Sequence, residues 1–269
     1  MIYYRKKIRK SYMPRIARQK SESGIYHIML RGANRQEIFH DDEDCRRFLE
    51  TLDRYKKKSG VKVYGWCLMG NHVHLLLGEG KEDISITMKR IGVSYVWFYN
   101  WKYKTIGHLF QDRYKSENIE KDEYLMAAVR YIHQNPVKAG IAARMDEWKW
   151  SSIQGYYGKP SYPAMLLDSG LILGMLSENK KTAIKRFKEY NEVGNEDKFL
   201  EDTPRIRLTD DEARAEIIKL SSGYGIAGIK NLPKAQRDEI ITKIKEVEGL
   251  SQRQAARILG ISPNLIFKT

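Results

Sequence analysis

Two histidines one residue apart, His72 and His74, are the first side chains in this sequence whose spacing suggests chemistry. On a strand, residues i and i+2 leave from the same face, so both imidazoles would point one way while Val73 enters the opposite layer. Such a pair offers two nitrogens to one metal ion, although strand histidines also serve as surface or hydrogen-bonded residues. Leu75, Leu76 and Leu77 follow directly, which makes the strand a buried one, where polar rings are costly without partners. A second constellation combines Tyr131 and Asn135, four apart and therefore stacked on one helical face, with Lys138 just beyond. A phenol beside an amide oxygen could serve as nucleophile and metal ligand, although a packing or interface role explains the same tyrosine. Tyr124 lies seven residues earlier on the same face, and with 17 tyrosines in the chain helical phase alone does not choose between the two. In the third constellation Gln111, Arg113 and Lys115 alternate around Tyr114. If extended they share a face that can hold phosphates, with rings available for base stacking; a solvated charged edge explains the same pattern.

The elements that must carry these residues follow from hydrophobic periodicity. Residues 24–30 read as a strand. Cys45, Phe48, Leu49, Leu52 and Tyr55 recur at helical spacing over 42–58, and Ser59-Gly60 ends that helix. Two β-rich runs, 61–69 and 72–78, are joined by Gly70-Asn71, a turn suited to an antiparallel hairpin. Ile84, Met88, Ile91, Tyr95 and Phe98 form the apolar stripe of a helix lying on a sheet. A further strand is expected near 108–110. Asp122 can cap a helix that buries Leu125, Ala128, Val129 and Ile132, and Pro136 is expected to stop it at Asn135. The order β, α, β, β, α, β plus a helix describes an α+β fold, a ferredoxin-like or RRM-like antiparallel sheet with helices on it.

The chain has 269 residues, with 48 Lys+Arg against 34 Asp+Glu, a formal charge of +14. That balance points to a polyanionic partner, since phosphate contacts supply most sequence-independent affinity for nucleic acid. No apolar run approaches the ~20 residues that span a bilayer, and no signal-peptide core follows the basic start. A cytoplasmic protein without a membrane partner is expected. Cys45 and Cys67 are too few for a disulfide framework and lack metal-ligand spacing. The expected organisation is a basic arm over 1–20, a catalytic domain over 21–158, a helical linker region over 159–205 and an all-α helix-turn-helix region over 206–269. In the last of these, Thr209 and Glu212 form a capping box, Pro233 suits a first helical position and Gly249 is a stop. Ser251 with Gln254 opens a short helix, Gly260-Ile261 breaks it, and Ser262-Pro263 starts another. That last helix has barely two turns before Thr269, from which a longer natural chain is expected.

Taken together, these stretches resemble a single-tyrosine HUH transposase, of the branch that includes the REP-associated tyrosine transposases. The matching segments are YHIMLRGANRQEIF from Tyr26, CLMGNHVHLLL from Cys67, GHLFQDRYKS from Gly107, YLMAAVRYIHQNPVKAG from Tyr124 and a WKWSS tail from Trp148. The resemblance implies an HUH domain in which His72, His74 and Asn135 bind a divalent metal, Mg²⁺ or Mn²⁺, and Tyr131 rather than Tyr124 attacks DNA. It implies nicking and strand transfer on single-stranded or hairpin DNA through a covalent 5′-phosphotyrosine, by a monomer or homodimer. Arg15, Arg18, Arg31, Arg35, Gln111, Arg113, Lys115 and Lys138 are the expected DNA contacts. LSQRQAARILGISPNLI from Leu250 resembles the DNA-binding helices of replication initiators and small repressors, with Ser262 and Asn264 as candidates for contact with duplex DNA. Two other readings stand beside this one: a domesticated DNA-binding protein that grips repeated elements without cutting, and a replication or transfer nickase with the same metal pair.

Overall fold

The computed structural model describes residues 18–194, 199, 208–221, 223–247 and 249–269. The chain divides into two compact units, residues 1–200 and 201–269.

The first unit is built on a four-stranded antiparallel sheet. Its strands are β1 (Ile25–Arg31), β2 (Lys62–Met69), β3 (His72–Gly78) and β4 (Lys115–Asn118), in the order β2-β3-β1-β4. Helix α1 (Asp42–Ser59) crosses from β1 to β2, and α2 (Ile84–Tyr103) crosses from β3 to β4. That order and those crossovers make the fold ferredoxin-like. Strand alternation divides the sheet into two faces. Tyr26, Ile28, Leu30, Trp66, Leu68, Val73, Leu75 and Leu77 pack with Phe48, Leu52, Ile91 and Tyr95 of α1 and α2. The opposite face turns Cys67, Met69 and Leu76 toward α3 (Asp122–Lys138), whose Leu125, Ala128, Val129 and Ile132 cover them.

Short contacts at one end of the sheet fix the hairpin that carries the histidines. The Gly70 carbonyl accepts from the Ile38 and Phe39 amides at 2.8 and 3.0 Å, and the Gly32 amide donates to the Asn71 carbonyl at 2.9 Å. A Cβ on Gly32 would lie 2.1 Å from the Gln36 carbonyl oxygen, so the chain can turn this closely only without a side chain.

The structure departs from the sequence reading at several points. The fourth strand is Lys115–Asn118, while 108–110 supplies only an isolated bridge, Phe110 opposite Gly32. An edge strand of four polar residues has no apolar alternation to announce it, because edges are kept polar against stray pairing. Helix α3 runs through Pro136 to Lys138. Proline there costs only the amide that would bond one turn back, near an end where the helix has little left to lose, and the Pro136 carbonyl accepts from the Ile141 amide at 2.9 Å. The N-cap of α3 is Lys121, and Asp122 is instead the first helical residue, where its charge favours the amino end. Helices α5 (Gly170–Leu176) and α6 (Lys180–Glu192), expected as linker, bury Ile172, Leu173, Ala183 and Phe187 in the same cluster as Val129 and Ile132. A short α4 (Ile153–Tyr156) joins them.

The second unit is all-α: α7 (Asp210–Leu220), α8 (Gly225–Ile229), α9 (Lys234–Lys245), α10 (Gln252–Leu259) and α11 (Pro263–Lys268). Its core joins Ala213, Ile217, Ile241, Ile244, Ala256, Leu259 and Ile266. The Thr209–Glu212 capping box is present. Pro233 is the N-cap of α9 rather than its first residue. Ser251 caps α10, Gly260 closes it in the left-handed region at φ 64°, and Ser262 caps α11 ahead of Pro263. The Arg257 guanidinium makes two hydrogen bonds to the Asp210 carboxylate, at 2.6 and 2.7 Å, tying α10 to α7.

Candidate active site

The β1–β3 register sets Met29 opposite His74 and Arg31 opposite His72. Residues paired across an antiparallel ladder share a face, so His27, Met29 and Arg31 point the same way as the two histidines. On the other side of β1, Lys115 lies opposite Met29 and Glu117 opposite His27. The face below α3 therefore gathers three imidazoles, two cations and a carboxylate.

His72 and His74 stand side by side with ring centroids 5.1 Å apart and planes at 85°. His72 is half-buried, and its Nδ1 bonds the Asn71 side-chain oxygen at 2.7 Å. His74 is buried, with Nδ1 2.9 Å from Nε2 of the fully buried His27. The His27 Nδ1 lies 3.8 Å from a Glu117 carboxylate oxygen. The other Glu117 oxygen accepts from the Tyr124 hydroxyl. Burial dominates the electrostatics of both inner rings. It holds His74 well below the ordinary histidine range, with His27, His72 and Arg31 adding to the effect. It also lowers His27, against the opposing pull of Glu117. Both rings are thus neutral at pH 7, the form in which imidazole binds a metal.

Helix α3 lays the phenol over this floor. The buried Tyr131 ring meets His74 edge-on at 5.6 Å and His27 at 5.8 Å. Lys138 sets its ammonium 5.2 Å above the same ring. Asn135 is half-buried, and its amide nitrogen donates to the Tyr131 carbonyl at 2.9 Å, which reserves the side-chain oxygen for another partner. The adjacent amide Gln134 points elsewhere, donating to the Asn191 and Val193 carbonyls. Among the described residues no group of three or more His, Cys, Asp or Glu side chains is arranged to hold a metal ion. Were His72, His74 and Asn135 the ligands, two imidazoles and an amide oxygen would suit an ion with open positions rather than a closed structural site.

Other expected residues fall elsewhere. Gln111 and Arg113 lie in a bend, so with Lys115 they do not form one extended row. They line a cavity of about 930 Å³ on the α2 side of the sheet, with Arg18 and Tyr114. Arg18 stacks on the Tyr114 ring at 3.9 Å. The Arg35 carbonyl accepts from the Asn71 amide at 3.2 Å, beside the histidine hairpin. Ser262 and Asn264 are exposed in the second unit, and Arg15 lies outside the described residues. Sequence reasoning passed over His27, Glu117 and Phe199, whose ring contacts both Tyr131 and Tyr124 at about 5 Å. His27 was available from the alternation of β1, which sends Tyr26, Ile28 and Leu30 to one side and His27 to the other. Glu117 and Phe199 carry no such signal.

Residues 20–135 match the family model described as Transposase IS200 like. A solved structure entitled "Structure of the REP associates tyrosine transposase bound to a REP hairpin" is similar over 56% of this chain and 89% of that chain, at 19% identity and a TM-score of 0.46. No curated protein matches the chain. No described helix is long and apolar enough to cross a membrane.

Proposed function

Because the chain carries an IS200-like transposase domain over residues 20–135, we propose that it breaks and rejoins single-stranded DNA through Tyr131. The observation that carries this reading is the meeting of the Tyr131 phenol with the His72–His74 pair on one face, 5.6 Å ring to ring at His74. A non-cutting DNA-binding protein has no use for that juxtaposition.

His72, His74 and Asn135 would hold the divalent cation, Mg²⁺ or Mn²⁺. Bound there, such an ion would supply Lewis-acid polarisation of a non-bridging oxygen of the scissile phosphate. The remaining work falls to the chain itself. A free phenol has a pKa of about 10 and attacks poorly at pH 7. The Lys138 ammonium over the Tyr131 ring favours phenolate character as the proton leaves. The phenol gives its proton to solvent as its oxygen bonds phosphorus, the bond to the 3′ oxygen breaks, and that oxygen takes up a proton from solvent to leave as a 3′ hydroxyl. The phosphotyrosine ester conserves the energy of the broken link, so a 3′ hydroxyl can reverse the step and complete strand transfer. Arg31 and Lys115 on the sheet face, with Lys138 on α3, would hold the strand's phosphates. Tyr124 is a poor second nucleophile, because burial and its bond to Glu117 both raise its pKa. Hairpin DNA is the structured form of the same substrate, and α10–α11 supply a separate contact to duplex DNA.

The test is incubation with single-stranded oligonucleotides and Mn²⁺, followed by denaturing electrophoresis. A covalent protein–DNA adduct is expected for the natural chain and for Tyr124→Phe, and none for Tyr131→Phe or in excess chelator. An adduct that survives Tyr131→Phe and disappears in Tyr124→Phe would reverse the assignment. Binding without any adduct would favour the non-cutting reading.

A further inference from the structure

We propose that His27 and Glu117 are positioning residues that keep the proton of His74 on Nδ1, and so direct its Nε2 lone pair to the cation. This rests on the reading of His72 and His74 as a metal pair. It adds two residues, His27 and Glu117, that have no place in the ligand set.

The argument is one of donors and acceptors. His27 Nε2 and His74 Nδ1 are 2.9 Å apart in a site closed to solvent. A neutral imidazole has one N–H and one lone pair, so two arrangements exist. If His27 donates, its own Nδ1 lone pair faces the Glu117 carboxylate at 3.8 Å, acceptor against acceptor. His74 would then carry its proton on Nε2, the nitrogen a cation needs bare. If His74 donates, the clash of acceptors is relieved, and the 3.8 Å between His27 Nδ1 and Glu117 becomes a charge contact, too long for a hydrogen bond. His74 Nδ1–H enters the His27 Nε2 lone pair, His27 keeps its proton on Nδ1 facing the carboxylate, and His74 Nε2 is bare. The Tyr124 hydroxyl, bonded to the other carboxylate oxygen, turns Glu117 into that orientation. Carboxylates and carbonyls behind ligating histidines commonly fix tautomer and ring angle in this way, and their loss costs 10–100-fold in metal affinity. A ring kept at position 27 only for packing would need neither nitrogen, and Phe would serve.

Two measurements on the 269-residue chain decide the matter. In ¹⁵N-histidine-labelled, metal-free wild type, long-range ¹H–¹⁵N spectra are expected to show His74 protonated on Nδ1. In Mn²⁺ titrations followed by electron paramagnetic resonance, His27→Phe is expected to weaken binding at least about tenfold. His27→Gln, whose amide oxygen can accept from Nδ1–H, should recover affinity to within about threefold of wild type. A wild-type His74 protonated on Nε2, or a folded His27→Phe that binds Mn²⁺ like wild type, overturns the proposal. His72→Ala separates the two claims. If it loses Mn²⁺ while His27→Phe does not, the metal reading survives and the positioning role falls. If wild type itself binds no Mn²⁺, the metal reading falls, and the spectra alone decide the proton on His74.

Discussion

Tyr124 and Tyr131 share a helix and a face, yet their surroundings give them different chemistry. Tyr124 spends its hydroxyl on Glu117, whereas Tyr131 sits against the imidazoles with a lysine over its ring. Lys138 touches the phenol and no imidazole in the described contacts, so Lys138→Met is expected to slow adduct formation about tenfold or more while leaving Mn²⁺ affinity within twofold; single-turnover kinetics beside a metal titration would check this. His133, two positions after Tyr131, shows how far role depends on direction. It faces away from the site and bonds the Ser152 hydroxyl at 2.7 Å. Burial pushes its pKa down to about 3. A histidine lowered from 6.5 stabilises the fold fully above pH 6.5 and loses that contribution as pH falls toward 3, because the unfolded chain takes up the proton first. Urea unfolding between pH 6 and 4 should therefore be less steeply pH-dependent in His133→Gln, by up to ~1.4 kcal/mol per pH unit. An unchanged slope would show that this ring does not stay neutral in the fold.

At the scale of elements, the sheet separates the proposed site from the face that packs on α1 and α2. Ile91 of α2 and Ile132 of α3 are both fully buried, on opposite faces. Truncation to Ala is expected to cost about 2–5 kcal/mol at either position. Only Ile132→Ala should also slow adduct formation under conditions where the variant remains folded, since α3 carries Tyr131, Asn135 and Lys138. Thermal melts paired with the adduct assay separate the two effects. The elements that bury an apolar stripe were legible in the sequence: α1, α2, α3 and the β2–β3 hairpin all follow from spacing. β4 was not, because its partner β1 lies about 90 residues earlier and pairing between distant segments leaves no mark on a polar edge strand. The continuation of α3 through Pro136 was hidden for a similar reason, as proline's local preference yields when the surrounding fold holds the last turn.

At the scale of the whole chain, the proposed partner of a +14 charge is a strand of phosphates. Single-stranded oligonucleotide affinity should fall linearly on a log–log plot against salt, and Lys115→Gln should reduce the slope by about 0.7 if that lysine neutralises one phosphate. The second unit makes a separate prediction: Asn264→Glu, exposed near the start of α11, should weaken duplex binding several-fold and leave oligonucleotide cleavage within twofold. Equal duplex affinity would remove a DNA role for that helix. The sequence by itself determined the alternating and helical stripes, the caps at Thr209, Ser251 and Gly260, the paired histidines and the tyrosine-bearing helix, since each depends on neighbours within a few residues. Only the tertiary structure decided that His27 and Glu117 stand behind His74, that Gln111 and Arg113 line the α2 side rather than the histidine face, and that α5 and α6 belong to the core. Those outcomes depend on strand register and on which sheet face each helix covers, and register is set by the packing of segments far apart in the chain.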